Sequence, residues 1–182
     1  LVYELNDEGT YSVVEIGTCK DINIIIPEEY NEKKVTAIGD GAFRECVDIT
    51  SVMIPDSVTS IGQYAFQNCS KAEQLIIGKG LTTIGTSAFS GCYILTEIHF
   101  NATAISGMNT NTKAFTYAGK NAGGIAVTIG ANVTSIPVGL FYASSSSYAN
   151  KIVSVVFEEG SVCTSIGNYA FGYCNKLKTI EI

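Results

Sequence analysis

One histidine, His99, lies two residues after Glu97 in the segment Thr96-Glu97-Ile98-His99-Phe100. An imidazole beside a carboxylate suits general-base chemistry when a nucleophile and an orienting partner lie within hydrogen-bond reach. On a strand the two would share one face, about 7 Å apart along the backbone, and no motif fixes a serine or cysteine beside them. The pair therefore reads as an exposed polar patch. Six cysteines form the other reactive set. No C-x-x-C or Cys/His pairing at ligand spacing occurs, so zinc is not indicated. There is no calcium loop of the D-x-D-x-D-G kind, and Gly78-Lys79-Gly80 lacks the residue order of a phosphate loop. Glu28-Glu29 and Glu158-Glu159 read as solvated turn charges after strand ends. No catalytic residue, metal or cofactor is expected, and the chain does not read as an enzyme.

The cysteines lead to the elements that carry them. Cys46, Cys69, Cys92 and Cys174 each stand three residues after a phenylalanine: Phe43, Phe66, Phe89 and Phe171. The first three phenylalanines are 23 residues apart, and each follows an Ile-Gly pair: Ile38-Gly39, Ile61-Gly62 and Ile84-Gly85. A period in the twenties marks a solenoid, in which each unit buries its apolar edge against its neighbours. Cys163 occupies the place of Val35, Val58, Leu81 and Val133, and residues that interchange with valine belong to a core. Stacked equivalents lie about 4.8 Å apart with parallel Cβ vectors, whereas a disulfide wants Cβ atoms about 3.8 Å apart. The cysteines are therefore expected to be free, buried thiols.

A complete unit runs from Ile49 to Cys69. Val52 and Ile54 alternate as the inward side chains of a short strand, which Pro55 ends because it cannot donate to a ladder. Val58 and Ile61 turn back inside. Gly62 reads as a tight corner, and Ala65-Phe66-Gln67-Asn68-Cys69 as a helical or 3₁₀ turn that plugs the core. Strand pairs recur at Ile24/Ile26, Val52/Ile54, Leu75/Ile77, Ile98/Phe100, Val127/Ile129, Val155/Phe157 and Ile180/Ile182. This is the pattern of a β-rich, α/β-type repeat solenoid with a parallel sheet on one face. Polar insertions at Ser106–Thr112 and Tyr142–Tyr148 belong on surface loops, where Ala118 and Ser144 replace the cysteine.

Residues 1–20 read as a capping hairpin, Val2–Leu5 and Thr10–Ile16 around a turn ending in Gly9. Residues 21–182 read as about six repeats, irregular over 101–161. At Ile182 a strand would present unpaired backbone groups, so the natural protein is expected to continue, or that edge to pair, including with a second copy of the chain. The N-terminus shows neither the basic nor the apolar region of a signal peptide.

The sequence is 46% hydrophobic and 15% charged, which calls for a well-buried core. A net charge of −6, with scattered lysines, argues against nucleic acid. No apolar run is long enough to span a membrane as a helix.

Alternation on the strands leaves two exposed columns on the sheet face. One holds Asn23, Ser51, Gln74, Glu97, Ala126, Ser154 and Thr179; the other holds Ile25, Met53, Ile76, His99, Thr128, Val156 and Glu181. Three consecutive apolar side chains, Ile25, Met53 and Ile76, on a wet face are a candidate contact stripe. Gln74, Glu97, His99 and Val156 complete the candidate partner-binding set.

The pattern Ile-Gly-x-x-Ala-Phe-x-x-Cys-x-x-Leu-x-x-Ile-x-Ile-Pro resembles the BspA-type leucine-rich repeat over nearly the whole chain, cleanly in 35–100 and 162–182. The resemblance implies a right-handed leucine-rich-repeat horseshoe with short helical or 3₁₀ turns behind the sheet. It also implies a secreted or cell-surface bacterial protein that adheres to host or neighbouring-cell macromolecules, protein or glycan. It brings no catalytic residues with it. In that setting, the N-glycosylation patterns at Asn68, Asn101 and Asn132 read as chance. The expected function is a non-catalytic recognition module; the alternative is a structural spacer presenting another domain.

Overall fold

The computed structural model describes residues 1–143 and 145–181. The chain winds as a solenoid of about seven turns. Strands β1 (Val2–Leu5) and β2 (Tyr11–Glu15) form an antiparallel hairpin; β3 (Asn23–Ile25), β4 (Glu29–Tyr30) and β5 (Lys33–Ile38) follow. Each later coil supplies one longer strand: β6 (Ser51–Ile54), β8 (Gln74–Ile77), β10 (Glu97–Phe100), β11 (Ile125–Ile129), β13 (Ile152–Phe157) and β15 (Thr179–Glu181). Most also supply a short one: β7 (Ser60–Ile61), β9 (Thr83–Ile84), β12 (Ser135–Ile136) and β14 (Ser165–Ile166).

Among the described residues the longer strands form a seven-stranded parallel sheet in the order β15-β13-β11-β10-β8-β6-β3. The short strands build a second parallel ladder, β2-β5-β7-β9, resumed by β12-β14. The gap between β9 and β12 falls in the coil that carries the Ser106–Thr112 insertion.

The core follows the alternation of the longer strands. Ile24, Ile26, Val52, Ile54, Leu75, Ile77, Ile98, Phe100, Val127, Ile129, Val155 and Phe157 are all buried. Behind them the phenylalanines stack along the solenoid axis. Phe43–Phe66 and Phe66–Phe89 lie at 4.8 and 5.3 Å with interplanar angles of 3° and 5°. Phe115, Phe141 and Phe171 continue the column at 5.1 to 5.5 Å.

The expected helical or 3₁₀ face is not there. The Ala-Phe-x-x-Cys stretches are turns, and among the described residues the one 3₁₀ segment is Ser146–Tyr148 in an insertion. Backbone geometry explains this. Two residues before each core phenylalanine the chain is left-handed: Gly41, Tyr64, Ser87, Lys113, Gly139 and Tyr169 have φ between 46° and 64°. Two residues after it, Glu45, Asn68, Gly91, Tyr117 and Tyr173 are left-handed as well. A right-handed helix cannot pass through such residues. Their neighbours' amides instead reach across to the next coil. Phe43 N donates to Ala65 O at 2.7 Å, Phe66 N to Ala88 O at 2.7 Å, and Phe89 N to Ala114 O at 2.9 Å. Turn residues thus form a third ladder between coils.

Gly62 also serves a different purpose from the corner expected of it. It is not left-handed; a Cβ there would lie 2.6 Å from the carbonyl carbon of Gly39 and 2.5 Å from Asp40 N. Gly85 and Gly167 face the same obstruction from Gly62–Gln63 and Pro137–Val138. The glycine lets consecutive coils approach backbone to backbone.

All six cysteines are free. Cys69, Cys92 and Cys174 are buried as expected, the last against Asn150, but Cys19, Cys46 and Cys163 are half-buried. Ile180, expected inside, is 42% exposed. Each buried thiol donates to the carbonyl of a preceding phenylalanine: Cys69 to Phe43 at 3.1 Å, Cys92 to Phe66 at 3.5 Å, Cys174 to Phe141 at 3.5 Å. Burial pushes the Cys92 and Cys174 thiols up to about 12, and the Cys69 thiol higher still. Asn150, which follows the Tyr142–Tyr148 insertion, is buried, and its Nδ2 donates to Phe141 O at 2.7 Å, the carbonyl that Cys174 also addresses. The expectations at Ser144 and Ile182 lie outside the described residues.

Candidate functional site

Parallel pairing places both columns in register. Asn23, Ser51, Gln74, Glu97, Ala126, Ser154 and Thr179 are successive partners across the sheet, as are Ile25, Met53, Ile76, His99, Thr128, Val156 and Glu181. In-register parallel strands sit about 4.8 Å apart, so neighbours in a column touch. Ile25 is 65% exposed and Met53 42%, while Ile76 is half-buried. An apolar stripe therefore crosses β3, β6 and β8 on the solvent side of the sheet.

The polar members form one hydrogen-bonded chain beside it. Gln74 Nε2 donates to Glu97 Oε2 at 3.0 Å, and His99 Nε2 meets Glu97 Oε1 at 2.7 Å. The strand-rise distance between Glu97 and His99 misses this contact, because both long side chains lean toward each other over the same face. The Glu97 carboxylate is thereby engaged on both oxygens, and His99 is flanked in register by Ile76 and Thr128. Such an arrangement fixes a polar edge next to Ile76. Asn23 Oδ1 accepts from Thr50 Oγ1 at 2.9 Å and Ser51 Oγ at 2.8 Å, which extends the same polar edge to the side of Ile25. Val156 does not join this group: it is exposed, but Thr128 on β11 separates it from His99.

Sequence reading passed over one cluster. Lys120, Lys151 and Lys176 line a cleft of about 340 Å³ with Ser147, Asn150 and Asn175, where the chain enters β11, β13 and β15. The available signal was the charge distribution. Between Glu97 and Glu158 the sequence holds three lysines and no carboxylate.

Comparison with known proteins places this geometry. A family model described as the BspA type leucine rich repeat region matches in six copies over residues 18–148 and 145–182. No curated protein matches by sequence. Among solved structures, a leucine rich cell surface protein from Faecalibacterium prausnitzii A2-165 is 26% identical with a TM-score of 0.63; the match covers 98% of this chain and 52% of that one. The T. pallidum leucine rich repeat protein is 24% identical with a TM-score of 0.61, covering 98% and 67%. A leucine-rich repeat protein from Bacteroides capillosus ATCC 29799 is 23% identical with a TM-score of 0.55, covering 86% and 92%. These neighbours share the solenoid, and the six matched repeats decide the family: the chain belongs to the BspA-type leucine-rich repeat proteins.

Proposed function

We propose that this chain is a non-catalytic recognition module of a secreted or cell-surface bacterial protein, and that it binds a protein partner of the host or a neighbouring cell through the sheet face. The observation that carries the reading is the stripe Ile25–Met53–Ile76. Its members are in register and solvent-facing, and Asn23, Gln74, Glu97 and His99 border it with fixed polar groups. An apolar patch with a polar border is how protein contacts concentrate their energy. The surface location is supported by the family and by the cell-surface protein from F. prausnitzii. In this reading residues 1–20 cap an array spanning 21–182.

The test is capture from extracellular and cell-surface extracts by wild type and by the double variant Met53→Glu/Ile76→Glu, both checked for fold. A partner held by wild type and lost by the variant supports the reading. Equal capture by both moves the contact to the loops around Asn109 and Ser145, and capture by neither favours the spacer.

A further inference from the structure

The acidic character of the chain is confined to one part of it. Residues 1–97 hold 14 acidic against six basic residues, whereas 98–182 hold three against five. Three of those five lysines, Lys120, Lys151 and Lys176, meet in the cleft before β11, β13 and β15. Among the described residues, none of the three forms an ion pair with a carboxylate. By contrast, the cleft of about 470 Å³ beside the N-terminal hairpin sets Lys20 among Asp21, Glu45 and Asp48. Clustered unpaired ammonium groups repel one another, and an anion between them relieves this.

The Asn175 amide lines the cleft, and an aromatic pair adjoins it at Lys120 and Ser147. Lys120 Nζ lies 4.9 Å from the centroid of the Tyr117 ring, and Tyr117 packs on Tyr148 with centroids 5.3 Å apart. Tyr148 is 45% exposed. Lys151 spends one donor on Ala122 O at 3.2 Å, which anchors the side chain while its ammonium keeps two further donors. Asn175 offers an exposed amide.

We propose that this cleft binds an acidic saccharide. The lysines take its carboxylate or sulfate groups, the exposed ring of Tyr148 at the rim receives a ring face, and Asn175 and the Tyr148 hydroxyl serve its hydroxyl groups. Tyrosine suits such a ligand because it is apolar on its face and polar at its tip. A nucleic acid fits poorly, since a polyphosphate strand needs a longer basic track than three lysines in a chain of net charge −6. The site lies apart from the sheet-face stripe and does not rest on it.

The experiment measures binding of a heparin-derived hexasaccharide, an oligogalacturonate, uncharged maltohexaose and poly-glutamate by titration calorimetry at 0.15 M salt. The expected result is binding of the sulfated or the carboxylated saccharide and none of maltohexaose; which of the two binds identifies the anionic group. Lys120→Gln/Lys176→Gln, both at exposed positions, should weaken that binding at least about tenfold. Tyr148→Ala should weaken it as well. Lys71→Gln/Lys79→Gln, an equal charge change elsewhere on the solenoid, and Met53→Glu/Ile76→Glu should leave it within about twofold, the scatter expected of distant, uncoupled sites. The proposal is overturned if neither acidic saccharide binds, if the two lysine double variants weaken binding equally, or if poly-glutamate binds as tightly as the saccharides.

Discussion

Replacing Phe66 with alanine tests the stacked core at its centre. The ring is 1% exposed and lies between Phe43 at 4.8 Å and Phe89 at 5.3 Å, nearly parallel to both. Deleting a buried phenylalanine side chain costs about 3–5 kcal/mol through lost transfer energy and the cavity left behind. The two aromatic contacts, each about 0.5–1.5 kcal/mol beyond area burial, place this site toward the upper part of that range. The cavity cannot close readily, because the coils on either side are pinned by Phe43 N to Ala65 O and Phe66 N to Ala88 O. Phe171 supplies the comparison: it is half-buried and stacks on one ring, Phe141, at 5.5 Å. Its replacement should cost about 2 kcal/mol, in proportion to the smaller burial. Urea melts of both variants measure the difference, and the Phe66→Ala midpoint should fall at least twice as far. A loss below about 1 kcal/mol for Phe66→Ala, or an equal loss for both, refutes the reasoning that the column is a packed core secured by neighbours on two sides.

Three further outcomes follow from the same geometry. Gly62→Ala should cost about 1–3 kcal/mol by overpacking against Gly39 and Asp40, while Gly123→Ala, with open space around it, should be neutral in the same melts. Raising pH should destabilise the fold. Cys92 and Cys174 hold their protons up to about 12 when folded but ionise near 9 when unfolded, so the folded state binds more protons in that window. Their contribution is intact below about pH 9 and is lost at about 1.4 kcal/mol per pH unit per thiol as pH rises toward 12. Cys92→Ala/Cys174→Ala should reduce that slope in melts between pH 8 and 10.5, leaving the share of the buried Cys69 thiol; an unchanged slope counts against buried thiols as its source. Met53→Glu should change stability by less than about 0.5 kcal/mol, because the side chain stands on the solvent face; a larger loss in denaturant melts means that it is covered.

Much of the fold was legible in the sequence because strands advertise burial with a period of two. Val52/Ile54, Leu75/Ile77 and Ile98/Phe100 mark one face, and parallel in-register pairing then fixes both outer columns, down to the partners of Met53 and His99. The back of the solenoid was not legible. Its left-handed turn positions are filled by Tyr64, Ser87, Lys113 and Tyr169 as well as by Gly41 and Gly139, so no consistent glycine signals the turn, and Ala-Phe-x-x-Cys imitates one turn of helix. Gly62 was visible as a constrained position, but the constraint is the neighbouring coil, which only the stacking reveals. The Glu97–His99 contact depends on rotamers, and the lysine cleft depends on bringing residues 120, 151 and 176 together from three coils. Exposure of Cys46, Cys163 and Ile180 depends on the cover each receives from its own neighbours, which a repeat-averaged pattern does not encode.

The sheet-face claim is tested most directly by photo-crosslinking. A benzophenone amino acid placed at Met53 should yield an adduct with the captured partner, whereas the same probe at Tyr64, exposed on the Phe66 turn of the neighbouring ladder, should yield none. An adduct from Tyr64 and none from Met53 would contradict the account and move the recognition surface off the sheet face onto the turns that carry the phenylalanines.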